Sequence, residues 1–147
     1  MRRTKEQKAM DEELLRECEG YTTRDNKPDG AYIEEHGYFY NLNKIKRLID
    51  SGADVGAKDN DGFTPLHLAD SVELAKLLID SGADVRAKNK WGYTPLHWAI
   101  RKNKIEIAKL LIDSGADVGA KDDDGQTPLH EAKSQEMKTL LKEHGAK

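Results

Sequence analysis

The sequence has little of several features that mark common classes of protein. A single cysteine, Cys18, in 147 residues excludes an internal disulfide and a zinc site built from several cysteines. No apolar run approaches the roughly 20 residues of a membrane-spanning helix, and no apolar segment of a secretory signal follows Arg2 and Arg3. We therefore expect no membrane partner and a cytoplasmic location by default, while delivery by a non-classical route stays open.

Positive charge and catalytic motifs are also scarce. The sequence has 24 Lys and Arg against 27 Asp and Glu, and this net charge of −3 argues against a nucleic-acid binder that works by bulk charge. It contains no phosphate-binding loop, no dinucleotide-binding glycine motif and no Gly-x-Ser-x-Gly motif. Cys18 and His36 could be imagined as nucleophile and base, but nothing in their spacing supports contact. We predict no nucleic-acid partner, no cofactor and no enzyme activity.

Two short strings recur at matching intervals of 30 and then 33 residues. The copies of Thr-Pro-Leu-His lie at 64–67, 94–97 and 127–130, and the copies of Ser-Gly-Ala-Asp-Val begin at Ser51, Ser81 and Ser114. Self-similarity at a fixed period indicates stacked structural repeats, because one small unit cannot bury its own apolar face.

The residues of one repeat predict two short helices. Thr94 is a good N-cap and Pro95 suits the first helical position, so a helix begins there, with Leu96, Ala99 and Ile100 on its apolar side. Asn103 with Glu106 has the spacing of a capping box that starts a second helix.

That second helix has a wide apolar stripe and a clear end. Its apolar residues recur at helical spacing: Ile105, Ile107, Ala108, Leu110, Leu111 and Ile112. Gly115 is the expected left-handed stop, and residues 117–125 form an extended stretch closed by a turn glycine. The unit is therefore a helix, a turn, a helix and a projecting hairpin.

On these strings the chain, over about residues 41–147, resembles the ankyrin repeat family. The resemblance implies an all-α repeat solenoid, a stack of helix-turn-helix units with projecting β-hairpin loops, in one domain. We expect a degenerate N-terminal capping repeat at 1–58, repeats at 59–88 and 89–121, and a C-terminal capping repeat at 122–147.

Two of these repeats lack three residues between their helices. We expect them to have a short first helix and a tight turn, and Asp70 with Glu73 to serve as the capping pair in the first of them. In the last repeat, Met137, Leu140 and Leu141 form the only apolar face of the final helix, which suits a terminal cap.

The first forty residues depart most from the repeat pattern. We expect a helix from Lys5 to Glu19 and a second helix that carries Leu42, Ile45 and Leu48. Between them, residues 20–40 form an insertion that holds five of the nine aromatic residues of the chain. Loops of this length in a compact domain are usually functional or disordered, and the aromatic content argues against disorder. The insertion either covers the end of the stack or binds a partner directly.

In proteins that resemble this family, the hairpin tips and the first helices line a concave groove that grips partners. Aromatic residues and arginine are over-represented among residues that carry binding energy. The residues that we predict to bind a partner are Phe63, Lys90, Trp91, Tyr93, Trp98, Arg101, Lys102, Asp123, Asp124 and Gln126 in the repeats, with Tyr38 and Tyr40 in the insertion. Asn60, Asp61, Leu68 and Glu131 are further groove positions. For Phe63, Tyr93 and Trp98, packing against neighbouring repeats is the alternative.

The recurring histidines do not predict a metal site. His67, His97 and His130 lie one layer apart, roughly 8–10 Å, whereas zinc ligands must come within about 2.1 Å of one ion. The resemblance implies that this histidine is a structural hydrogen-bonding residue.

We therefore predict a non-catalytic module that binds another protein. One alternative is a dedicated inhibitor or immunity-type protein that blocks one enzyme. Another is a small enzyme, or an enzyme subunit, that uses the insertion.

Overall fold

The computed structural model describes residues 2–19, 32–33 and 39–147, and its helices follow one another in pairs. The helices are α1 (Lys5–Glu19), α2 (Leu42–Asp50), α3 (Pro65–Leu68), α4 (Val72–Asp80), α5 (Pro95–Arg101), α6 (Ile105–Asp113), α7 (Pro128–Glu131) and α8 (Gln135–Glu143). We call the pairs α1–α2, α3–α4, α5–α6 and α7–α8 layers 1 to 4. The residue bounds of the four repeats stay a prediction.

The layers stack in chain order. The first helices form one row, in which α1 contacts α3, α3 contacts α5 and α5 contacts α7. In the row of second helices, α4 contacts α6 and α6 contacts α8. Leu66 and Leu96 of the repeated string are buried between layers, and Leu129 of the last layer packs against the same core while partly exposed. The protein is an all-α repeat solenoid, as the sequence predicts.

The described part of the chain contains no helix that is long and apolar enough to cross a bilayer.

The first helices of layers 2, 3 and 4 each begin at the threonine of the repeated string. Thr64 and Thr94 have extended backbones, and their side chains accept from the backbone N–H groups of His67 and His97, with proline at the next position. The short layers have first helices of four residues, α3 and α7, against seven in α5. The predicted threonine N-cap and the predicted short first helices of layers 2 and 4 are both confirmed.

Both second-helix caps predicted from sequence are wrong. α4 is capped by Ser71, whose Oγ accepts from the Leu74 N–H at 3.0 Å, so Asp70 is not the cap. α6 begins after Lys104 without a side-chain cap. Asn103 instead takes a left-handed conformation, φ +57°, at the end of α5, which asparagine tolerates better than most residues. It therefore ends one helix and does not begin the next.

Glycine ends the second helices. Gly115 has φ +100° and its N–H donates to the Ile112 carbonyl, which confirms it as the left-handed stop. Gly52, Gly82 and Gly145 occupy the same position in the other layers, with φ of +103°, +97° and +95°.

Layer 1 has the two helices that the sequence predicts, and ion pairs hold them in place. Leu14, Cys18 and Ile45 are fully buried. Lys44 of α2 reaches Glu13 and Glu17 of α1, each at 2.7 Å, and the hydrogen bonds to these carboxylates raise the pKa of Lys44 above its usual value.

The N-terminus is tied to the loop that follows α2. Arg3 pairs with Asp11 at 2.7 Å and also donates to the Gly52 carbonyl, while Asp11 accepts from the Asp54 N–H. These bonds hold α1 against the loop that follows α2.

Within the insertion, Tyr32–Ile33 (β1) pairs antiparallel with Phe39–Tyr40 (β2), with Tyr32 opposite Tyr40. The sequence predicts no strand here, because a two-residue strand is too short for a periodicity. Tyr40 lies in β2, and Tyr38 lies outside the described residues, so the role of the insertion stays a prediction.

Candidate protein-interaction surface

The loops that join the layers project as hairpins with one shared geometry. At the start of each tip, Asp59, Asn89 or Asp122 uses its side-chain Oδ1 to accept two backbone N–H groups, two and four residues on, at 2.8–3.0 Å. This is an Asx turn, which replaces backbone hydrogen bonds that a tight turn leaves unmade. The sequence alone does not predict this role, although the three residues recur three positions before each turn glycine.

Successive tips are joined by backbone hydrogen bonds. The Lys90 N–H donates to the Asp61 carbonyl and the Asp123 N–H donates to the Trp91 carbonyl, both at 3.0 Å. Gly92 sits at this close approach with φ +79°, and a Cβ there would come within 2.8 Å of the Asp123 nitrogen. The tips therefore form a rigid edge along layers 2, 3 and 4.

The repeated histidines hold the tips to the first helices. His67 Nδ1 accepts from the Thr64 N–H at 3.1 Å, and Nε2 donates to the Tyr93 carbonyl of the next tip at 2.8 Å. His97 makes the equivalent bonds to Thr94 and, at 3.4 Å, to the Gln126 carbonyl. Burial lowers the pKa of both imidazoles, so the hydrogen bonds are those of neutral rings.

Phe63, Trp91, Trp98 and Tyr93 lie together on the face formed by the tips and first helices, and we call them the aromatic cluster. The ring centre of Phe63 lies 5.0 Å from that of Trp98 and 6.0 Å from that of Trp91, both in edge-on geometry. Tyr93 packs edge-on against His97, at 5.7 Å. Phe63, Tyr93 and Trp98 are partly buried, so the packing alternative holds for part of each ring.

Trp91 differs from the other members of the cluster. Trp91 is 43% exposed, and in the part of the chain that the structure describes only Val72, at 37%, is another exposed large hydrophobic residue. Val72 begins α4, in the row of second helices. The tip face therefore holds the largest exposed apolar side chain of the described residues.

Three cations border the aromatic cluster. Lys90 Nζ lies 4.4 Å from the ring centre of Trp91 and also pairs with Asp61. The Arg101 guanidinium lies 5.4 Å from the Tyr93 ring and 6.0 Å from the Trp98 ring, and Lys102 Nζ lies 5.5 Å from the Trp98 ring. These are cation–π distances, so the charged groups are held over the rings.

Layer 4 has acidic or polar side chains at the positions where layer 3 has aromatic ones. Asp124 and Gln126 stand where Trp91 and Tyr93 stand, and Glu131 stands where Trp98 stands. Asp123, Asp124 and Gln126 are exposed, whereas Asp122 is buried by its role in the Asx turn. The face therefore changes from aromatic and cationic to acidic between adjacent layers.

Among the described residues, no group of three or more His, Cys, Asp or Glu side chains could hold a metal ion. Each repeated histidine is engaged within its own layer or with the next tip. The side chains on this face present hydrogen-bond donors, charges and apolar rings, which is chemistry for binding.

Comparison with known families agrees with this architecture. The sequence model of a family described as ankyrin repeats (3 copies) matches residues 35–122 and residues 70–147. The chain belongs to the ankyrin repeat family. Ankyrin repeats are generally protein–protein interaction modules and are typically non-catalytic. A search of curated proteins finds no match to this chain.

Proposed function

We propose that this protein binds a partner protein through the face formed by its loop tips and first helices, with the aromatic cluster as anchor. The observation that carries the proposal is the exposure of Trp91 on a tip whose backbone is fixed from both sides. Its tip is bonded to the tip of layer 2 through Lys90 and to that of layer 4 through Asp123.

Rigidity favours binding because a preformed surface loses little conformational entropy when it associates. Exposed aromatic residues next to cations have the composition of binding hot spots, where truncation of one residue costs about 2 kcal/mol or more. The acidic layer beside the cluster would orient a partner that carries both signs of charge.

The test is site-specific photo-crosslinking in the producing cell. A photoreactive phenylalanine analogue at position 91 should give a crosslinked adduct, whereas the same analogue at position 72, the other exposed apolar site, should not. An adduct at both positions or only at position 72 would move the interaction to another face.

A matched pair of variants measures the contribution of the ring. Trp91→Ala should weaken capture of the crosslinked partner at least about thirtyfold, the equivalent of about 2 kcal/mol, while Val72→Ala leaves capture unchanged. Helical circular dichroism should be the same in both variants. A Trp91→Ala variant that unfolds would show that the ring belongs to the core.

The number of partners separates an interaction module from a dedicated inhibitor. We expect an adaptor to give several crosslinked species at position 91. An inhibitor should give one enzyme, whose activity falls as the complex forms.

A further inference from the structure

α5 is one turn longer than the first helices of the neighbouring layers. The proposed function does not yet explain this additional turn. Layer 3 has three more residues than layers 2 and 4 between Ala99 and Lys104, and they lengthen α5 and its connection to α6. The chain runs there from Arg101, the last residue of α5, through the C-cap Lys102 to Asn103 and Lys104. We call residues 101–104 the extra turn.

The extra turn is anchored to the layers on both sides. Lys104 Nζ pairs with Asp70 of layer 2 at 3.2 Å, and both side chains are largely buried. The Ser134 Oγ of layer 4 donates to the Asn103 Oδ1 at 2.8 Å. The turn is therefore held in place before any partner arrives.

The backbone of the extra turn satisfies its own carbonyl groups. The Asn103 N–H donates to the Ile100 carbonyl at 2.9 Å and the Lys104 N–H to the Ala99 carbonyl at 2.8 Å, the two bonds of a Schellman motif. These bonds occupy carbonyl oxygens that would otherwise repel an anion at the end of a helix.

What the turn presents outward is positive charge over aromatic rings. Arg101 and Lys102 are exposed, and neither forms an ion pair with any residue in the described ranges 2–19 and 39–147. Beside them the indole Nε1–H of Trp98 is buried without a hydrogen-bond acceptor among the described residues. Two cationic donor groups therefore lie over the Trp98 ring without a carboxylate partner among the described residues.

From this juxtaposition we propose that the extra turn is a subsite for a carboxylate side chain of the partner, adjacent to an apolar residue that lies on the aromatic cluster. The inference rests on the proposed function and names the partner's chemistry at that surface. The carboxylate accepts from Arg101 and Lys102, whose charged groups lie over the Trp98 ring. One layer on, Asp124 and Glu131 repel a second carboxylate, so the partner's acidic residue is confined to layer 3.

The probe is a set of capped tripeptides added at millimolar concentration to the ¹⁵N-labelled full chain. The indole signals of Trp91 and Trp98 are followed by NMR and assigned with Trp91→Phe. Acetyl-Phe-Glu-Leu-amide should shift the Trp98 signal with about threefold to tenfold higher affinity than the Gln or Lys analogue, as expected for exposed charge pairs.

Three double variants locate the effect. R101Q/K102Q should reduce the affinity for the Glu peptide to that for the Gln peptide, while R101K/K102R keeps most of the preference. K46Q/K76Q removes two exposed lysines from α2 and α4, so it has the same net charge as R101Q/K102Q and should behave as the wild type. Thermal melting confirms that each variant is folded.

Several results would overturn the subsite. Equal affinity for the Glu and Gln peptides would do so, as would a preference for Glu that survives in R101Q/K102Q, or no shift with any peptide. A phosphoserine peptide bound more than tenfold tighter than the Glu peptide would assign the site to phosphate. Crosslinking at position 91 uses the natural partner and is read independently, so loss of the subsite leaves the proposed function standing.

Discussion

The buried histidine of layer 2 makes the stability of the stack depend on pH in a way that one substitution should remove. His67 is 2% exposed, and its Nδ1 faces the N–H of Thr64. A proton on Nδ1 would place one donor against another, and burial removes the ring from the bulk solvent that would stabilise its charge. Replacing His67 by glutamine removes the titrating group.

The magnitude follows from the pKa of His67, which burial lowers from 6.5 to about 4, against the opposing effect of the hydrogen bond to the Tyr93 carbonyl. The unfolded chain binds this proton below about pH 6.5 but the folded chain only near pH 4, so protons favour unfolding between these values. The free energy of unfolding is highest above about pH 6.5. It decreases as the pH is lowered, by about 2 kcal/mol at pH 5 and about 3 kcal/mol near pH 4. Burial of His97 shifts its pKa in the same direction and adds to the loss.

The measurement is urea unfolding at pH 7.5, 6.5, 5.5 and 5.0, above the range where most carboxylates titrate. The wild type should lose at least about 2 kcal/mol between pH 7.5 and 5.0. H67Q should be less stable than the wild type at pH 7.5, because it loses hydrogen bonds to Thr64 and Tyr93. Between pH 7.5 and 5.0, however, its free energy of unfolding should decrease by about 2 kcal/mol less than that of the wild type. H130Q is the control, since His130 holds the same motif position in an exposed site. If H67Q and the wild type lose stability in parallel, His67 is not the source.

Three further expectations follow from the packing. Gly92→Ala should destabilise the protein more than Gly125→Ala, although both glycines have φ +79°, because only at Gly92 would the new Cβ meet the next tip. Gly125→Ala should lower the free energy of unfolding by about 1–2 kcal/mol, measured by thermal melting. Equal losses in the two variants would contradict the close approach at Gly92. Asp70→Ala should cost about 1–3 kcal/mol in urea, since it leaves the largely buried ammonium of Lys104 unpaired, and Lys104→Met in the same background should recover part of the loss. Burial raises the pKa of the Cys18 thiol, so Ellman's reagent should label it only after unfolding; labelling of the native protein at the rate of a free thiol would contradict the burial of α1.

The sequence predicts the fold well because its signals are local and repeated. Threonine, proline and histidine at fixed spacing define where the first helices of layers 2, 3 and 4 begin, and a left-handed glycine defines where each second helix ends. The bounds of α1 were likewise predicted from its apolar face and match the structure, Lys5–Glu19.

The two cap assignments fail for a physical reason. Asn103 satisfies the spacing rule for a cap, but the extra residues of layer 3 place it at the end of α5, where its side chain bonds to Ser134 of another layer. Asp70 lies next to a better cap, Ser71, and its carboxylate is taken by Lys104. Contacts between layers decide both cases, and such contacts leave no trace in a short window of sequence.

The sequence predicts which residues lie on the candidate surface but not which of them contact one another. Position in the repeat places Trp91 on a tip and Trp98 on a first helix, yet only coordinates bring both rings against Phe63 of the preceding layer. The Asx turns are not predicted from the sequence, because only coordinates show that the Asp122 Oδ1 accepts two backbone N–H groups and closes the tip.

Both tryptophans of the chain belong to layer 3. Intrinsic fluorescence therefore reports on the middle of the stack alone, whereas circular dichroism averages over every helix. Because each layer touches only its neighbours, the ends of such a stack can melt before its centre. A circular dichroism transition that precedes the fluorescence transition would reveal fraying from the ends, and coincident transitions would show that the whole stack unfolds as one cooperative unit.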